Sequence, residues 1–249
     1  MGIPEIADLI LVLADNKHQL GLRYAEWATG APSLEAATAA AAMAQAELGH
    51  ARALLPLLRE FPVVSAVMAD EDRPAERFAR LLDAPFSTWA EFVAANALFD
   101  AALTTVVAAL VESSYAPLRG RARKIIEEER YHAAHGNGWL RRLGQAEGAA
   151  REAIAEAVAQ IWPETLCFFG PDDDPLMGAL HRAGVIAVPS AGLRERFLAQ
   201  MREQLERAGL PPTAAEDLPW ARWDAVRRRL GQRVELETTE PSPSLSKGT

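Results

Sequence analysis

Apolar residues recur at three- and four-residue spacing through long alanine- and leucine-rich stretches of this chain, and glycine and proline cluster between the stretches. That period is the signature of amphipathic helices, and no strand-like alternation competes with it. A first helix is expected from about Pro4, a favoured first-turn residue, to the Thr29-Gly30-Ala31-Pro32-Ser33 turn. A second, capped by Ser33, runs to about Glu60 and pairs with the first as an antiparallel hairpin. Residues 61–86, with three prolines and the acidic run Asp70-Glu71-Asp72, form a looser segment. Ser87 or Thr88 caps a third helix reaching about Ser113, and a fourth spans about 117–143. After Gly144 a fifth helix extends to about Phe168, followed by a short one at 176–183 and a longer one at 190–208. An Arg-rich helix is expected at 220–230, and the Ser- and Pro-rich stretch 238–249 is expected to be disordered. The chain is thus expected to be all-α: a helical bundle with C-terminal helices over residues 1–210, then a Pro- and Arg-rich extension over 211–249.

The apolar stripes are interrupted at their middles. Heptad-spaced positions of the first helix are Ile6, Ile10, Leu13, Lys17, Leu20, Tyr24 and Trp27, and those of the second are Ala36, Ala40, Met43, Glu47, His50, Leu54 and Leu57. The third has Val93, Asn96, Asp100, Leu103 and Val107, and the fourth Leu118, Ala122, Ile125, Glu129, His132, Gly136 and Trp139. In an antiparallel hairpin, residues level with each other lie equally far from the turn. The midpoint of Lys17 and Glu47 is Pro32, and that of Asp100 and Glu129 falls between Ser114 and Tyr115, so both pairs are level. Glu47-Leu48-Gly49-His50 and Glu129-Arg130-Tyr131-His132 are each Glu-x-x-His, which puts a carboxylate and an imidazole on one helical face.

Two such motifs, with a carboxylate from each of the other two helices, make the oxygen and nitrogen ligand set of carboxylate-bridged di-iron or di-manganese bundles. Five of the six positions hold suitable residues, namely Glu47, His50, Asp100, Glu129 and His132; the sixth is Lys17, an ammonium where a carboxylate belongs. The set is therefore expected to be a vestigial or partial metal site. Three carboxylates and one ammonium sum to −2, so two divalent ions would leave +2, a poor balance for a buried centre. Without metal, Lys17 can pair with two carboxylates while the histidines take up protons, which brings the network near neutrality. The competing placement of Lys17 is snorkelling to solvent, against which its place in the apolar heptad argues. A register slip would turn Asp15 or Asn16 inward, and Asp15 would then supply the missing carboxylate.

Other residues carry less. His135, one turn past His132, is expected to be partly exposed, and His18 to point about 100° away from Lys17. Arg121, Arg123, Arg227, Arg228 and Arg229 are expected to be solvated or paired, the alternative being contacts with the phosphates of a bound ligand. No catalytic or cofactor-binding residue is assigned beyond the metal-ligand set.

With 49% hydrophobic residues and 24% charged, the 249-residue chain has the make-up of one ordinary globular domain. A net charge of −8 disfavours nucleic acid and anionic lipid as partners. Cys167 is the single cysteine, which excludes an intramolecular disulfide or a cysteine-based zinc site, and it is expected to act as a small buried hydrophobe. No basic leader and no uninterrupted apolar run of membrane-spanning length is seen, so a cytoplasmic location without membrane attachment is expected.

Phe99-Asp100-Ala101-Ala102, Ser113-Ser114-Tyr115-Ala116-Pro117 and Lys124-Ile125-Ile126-Glu127-Glu128-Glu129-Arg130-Tyr131-His132 resemble the ferritin-like subunits of the multicomponent phenylacetyl-CoA epoxidase, also called phenylacetate-CoA oxygenase. Other segments resemble its non-catalytic, PaaC-type structural subunit: Leu13-Ala14-Asp15-Asn16, Glu26-Trp27, Leu48-Gly49-His50-Ala51-Arg52, the stretch from Gly138 to Gly144, and Gly184-Val185-Ile186-Ala187-Val188-Pro189. The resemblance covers roughly residues 5–210 and implies a ferritin-like four-helix bundle. It also implies that the catalytic subunit's ligands fall on Glu47, His50, Asp100, Glu129 and His132, with its remaining carboxylate on Lys17. It implies a di-iron catalytic subunit as partner, phenylacetyl-CoA bound near the subunit interface, a separate reductase, and a role in aerobic phenylacetate degradation without turnover by this chain alone. Both Glu-x-x-His motifs are kept, so the alternative is a metal-dependent oxidase or oxygenase active in its own right, di-iron or mono-metal, with one or two ions on Glu47, His50, Asp100, Glu129 and His132.

Overall fold

The computed structural model describes residues 3–62, 64, 66–70, 72–211 and 217–231. Among the described residues seven helices carry the fold: α1 (Glu5–Glu26), α2 (Leu34–Leu54), α3 (Trp89–Ala108), α4 (Ala116–Gly144), α5 (Ala149–Cys167), α6 (Pro175–Arg182) and α7 (Ser190–Ala208). The sequence signals explain their starts. Ser33 Oγ accepts from the Ala36 backbone N–H and Thr88 Oγ1 from that of Glu91, each satisfying a donor that has no partner inside the helix. Proline sits in the first turn of α4 and α6, where its missing N–H costs nothing. Gly209, in the left-handed region at φ 67°, ends α7.

α1 to α4 form the four-helix bundle, with α1 and α2 packed side by side as the expected hairpin. α5 lies over α3 and α4, α7 over α3 and α4, and α6 against α1, which extends one core through the whole assembly. Among the described residues α3 alone is long and apolar enough to cross a membrane, yet 83% of its apolar window is buried under these neighbours. It is the central helix of the core, and its burial on all sides explains its near-continuous hydrophobicity.

Three features differ from the pattern-based expectation. The second helix is α-helical only to Leu54, and residues Leu55–Glu60, with Pro56 near the start, wind as a tighter 3-10 turn. The third ends at Ala108 rather than near Ser113, and Ala95–Asp100 within it form a π-helical turn. The Arg-rich helix expected at 220–230 is instead a 3-10 turn at Trp220–Arg222 followed by a two-stranded antiparallel ribbon, Trp223–Asp224 (β1) with Arg229–Leu230 (β2). Asp224 Oδ1 closes the ribbon by accepting from the backbone of Val226 and Arg227, and Arg228 takes a positive φ of 55°, neither of which a helix accommodates. The stretch 238–249, expected to be disordered, lies outside the described residues.

Candidate metal centre

Every interruption of the apolar stripes meets at one point inside the bundle. Lys17 on α1 is fully buried, and its Nζ lies 2.9 Å from Glu47 Oε1 on α2, 3.1 Å from Asp100 Oδ1 on α3 and 2.5 Å from Glu129 Oε1 on α4. It therefore pairs with three carboxylates rather than two, one for each ammonium proton. His132 on α4 adds its Nδ1 at 3.0 Å from Asp100 Oδ2 and 3.1 Å from Glu47 Oε1. His50 Nδ1 approaches Glu129 Oε1 at 3.4 Å, while its Nε2 bonds Glu128 Oε2 at 2.8 Å on the outer side. Asn16 is buried outside the cluster, as is Asp15.

Asp15 does not supply the missing carboxylate. Two residues from Lys17 on a helix means about 200° of rotation, so Asp15 faces the opposite side. There it binds the Arg73 guanidinium and accepts from the backbone N–H groups of Glu76 and Arg77 at 2.9 and 2.8 Å. Asn16 completes this latch, accepting from Ala79 N at 2.9 Å and donating to Arg77 O at 3.0 Å.

The π-helical turn places the third helix's polar residues. Asn96 and Asp100 both point inward, and Asn96 Nδ2 donates to Asp100 Oδ2 at 3.4 Å. A Cβ on Gly136 would lie 2.8 Å from Asn96 Oδ1 and 3.0 Å from the Ala97 backbone, so only glycine lets α4 approach this turn so closely. Around the centre, Tyr24 OH donates to Asp100 Oδ2 at 3.0 Å and Thr104 Oγ1 to Glu129 Oε2 at 2.9 Å. Sequence reasoning missed these roles of Tyr24, Asn96, Thr104 and Glu128. The spacing held a signal: Tyr24 lies seven residues past Lys17, and Asn96 and Thr104 lie four either side of Asp100, on the same helical faces.

Ionisation follows from the crowding. Burial works against the Lys17 ammonium, but Asp100, Glu129 and Glu47 together outweigh it and hold its pKa well above the ordinary value. Burial likewise penalises the Glu47 and Asp100 carboxylates, yet Lys17 and His132 keep both below the usual range. Burial opposes charge on His132 as well, but hydrogen bonds and attraction from Asp100 and Glu47 raise its pKa to about 11. Burial and the neighbouring Asp100 push Glu129 well up, against the pull of Lys17.

The other predicted residues are dispersed. His135 is half-buried among Trp89, Phe92 and Trp139, donating from Nδ1 to Asn96 Oδ1 at 3.0 Å, and desolvation lowers its pKa to about 4. Arg123 pairs with Glu112, Arg227 with Asp224, Arg228 with Asp174 and Arg229 with Asp83. Arg121 donates to the backbone carbonyls of Ala53 and Pro117. Cys167 is fully buried.

Glu47, Asp100, Glu129 and His132 each bring one ligand-capable atom within 4.8 Å of the others, a spacing that suits one ion. The residues do not fit a two-ion centre, because the Lys17 ammonium stands where the three carboxylates converge and the opposing charge is already supplied by Lys17 and His132.

Comparison with known proteins sets this geometry in context. The profile of a family described as Phenylacetic acid catabolic protein matches residues 3–229. The chain is 30% identical over 217 residues to the C subunit of the 1,2-phenylacetyl-CoA epoxidase of Escherichia coli (strain K12), covering 80% of this chain and 85% of that protein. It is 25% identical over 187 residues to the A subunit of the same enzyme from the same organism, covering 74% of this chain and 60% of that protein.

Proposed function

The chain belongs to the phenylacetic acid catabolic protein family, and we propose that within it the chain is the non-catalytic, structural subunit of a multicomponent phenylacetyl-CoA epoxidase. Its partner would be the di-iron catalytic subunit, itself another helical bundle, with phenylacetyl-CoA held near their interface and electrons delivered by a separate reductase. A cytoplasmic site of action goes with this reading. The observation that carries it is the fully buried Lys17 ammonium bound by Glu47, Asp100 and Glu129, which occupies the convergence point of the donors. The greater identity to the C subunit than to the A subunit, over more of both chains, supports the same side. A centre tied together by its own side chains fixes helix register without turning over substrate, one attested use of buried ionic groups.

One observation favours the other reading, an oxidase or oxygenase in its own right: four donor atoms still lie within 4.8 Å of one another. Co-purification with a catalytic subunit of the same complex, followed by O2-dependent turnover assays of each chain alone and of the mixture, separates the two. The structural role predicts a stable complex, with epoxidation by the mixture and none by this chain alone. Turnover by the isolated chain, or no association, contradicts it.

A further inference from the structure

We infer that Lys17 is a metal-exclusion residue: its ammonium keeps this chain free of metal, and the donors around it form a latent site for one divalent ion that opens when the ammonium is removed. This role deepens the proposed function by naming what decides which of two homologous helical subunits takes metal, and it rests on that reading only for its biological sense.

The chemistry comes from the centre itself. The oxygens that Lys17 Nζ binds, at 2.5 to 3.1 Å, belong to three of the four residues whose donor atoms converge, so an ammonium and a metal ion compete for the same carboxylates. Nor can the ammonium step aside. The Lys17 side chain is wholly enclosed, and one turn of α1 around it is pinned by the Asp15–Arg73 ion pair and the Asn16 bonds to residues 77 and 79. Adding a divalent ion beside the enclosed Lys17 ammonium would build positive charge in a confined space, which low-dielectric surroundings penalise heavily. With Lys17 gone the balance reverses: three carboxylates lose their cation, and a divalent ion restores it. Spare capacity is present too, since Glu47 Oε2 and His50 Nδ1 are buried without a hydrogen-bond partner among the described residues.

The test compares wild type, Lys17→Met, which keeps length and removes charge, and Lys17→Met combined with Glu47→Gln. Each full-length protein is incubated with Co2+, desalted and analysed for metal per chain and for melting temperature with and without Co2+. Wild type should retain less than about 0.1 ion and melt unchanged, whereas Lys17→Met should retain about one ion and melt several degrees higher with Co2+. The double variant should bind at least about tenfold more weakly. If Lys17→Met is unfolded without metal, refolding it in Co2+ should recover native circular dichroism, as expected when binding and folding are coupled. Stoichiometric Co2+ in wild type, a folded Lys17→Met chain that takes none, an unfolded one that Co2+ does not rescue, or undiminished binding by the double variant overturns the inference. Association with a catalytic partner is a separate readout, so failure of the structural-subunit reading is distinguishable from failure of this one.

Discussion

Three consecutive residues of α1 serve two buried ionic sites built on opposite principles. Lys17 faces the bundle axis and is satisfied wholly by side chains from the other three helices. Asp15, on the far side, is satisfied mostly by backbone: one guanidinium and two N–H groups of the 73–79 segment. The first ties four helices together through one ammonium. The second pins a loop to a helix, and Arg73 there keeps two carbonyl acceptors of its own, Met68 O and Pro74 O at 3.0 Å each. An ionic site that cross-links the core should therefore govern global stability, while one that fastens a loop should govern local opening.

The difference can be broken at either end. The largest effect is expected from Lys17→Met in the absence of metal, about 3–5 kcal/mol of lost stability, because three buried carboxylates lose their cation. Urea denaturation monitored by circular dichroism measures it. Asp15→Asn should cost less, about 1–3 kcal/mol. Its distinguishing mark is faster proteolysis or hydrogen exchange confined to the 73–79 segment, with the bundle unaffected.

Two histidines a turn apart sharpen the contrast through pH. His132, raised to about 11, contributes stability that is complete below its unfolded value of 6.5 and drains away as pH rises toward 11. His135, lowered to about 4, does the reverse: its contribution is complete above 6.5 and is lost as pH falls through 4. His132→Gln should therefore flatten the alkaline limb of a stability–pH curve and His135→Gln the acid limb, with urea midpoints at pH 4.5, 7 and 9.5 as the check. At the small end, Arg123→Ala removes an exposed pair with Glu112 and should stay within about 0.5 kcal/mol of wild type.

The two sites also show what a sequence reveals. Lys17, Glu47, Asp100 and Glu129 were legible because each breaks a regular apolar period, and because hairpin geometry makes level positions computable from residue numbers. The Asp15 latch was not, since Arg73 lies in an aperiodic, proline-containing segment that gives no register. The π-helical turn at 95–100 was equally hidden: α3 is apolar on nearly every side, and one extra residue in a turn leaves no mark on such a pattern. The C-terminal ribbon was misread as a helix because arginine is a good helix former, whereas the Asp224 side-chain turn and the Arg228–Asp174 ion pair, 2.6 Å long and buried, hold that segment in another shape. Helical period thus located the elements and the centre, while contacts set by loops and by local backbone departures required coordinates.

Whether an ammonium, rather than a metal, organises this core is tested most directly by a crystal structure of the wild-type chain grown in excess ferrous iron, with anomalous data collected at the iron edge. The expected result is continuous density for Lys17, with Nζ bound by Glu47, Asp100 and Glu129 and no anomalous peak among them. An anomalous peak between Glu47, Glu129 and the two histidines, with Lys17 turned away, would contradict it.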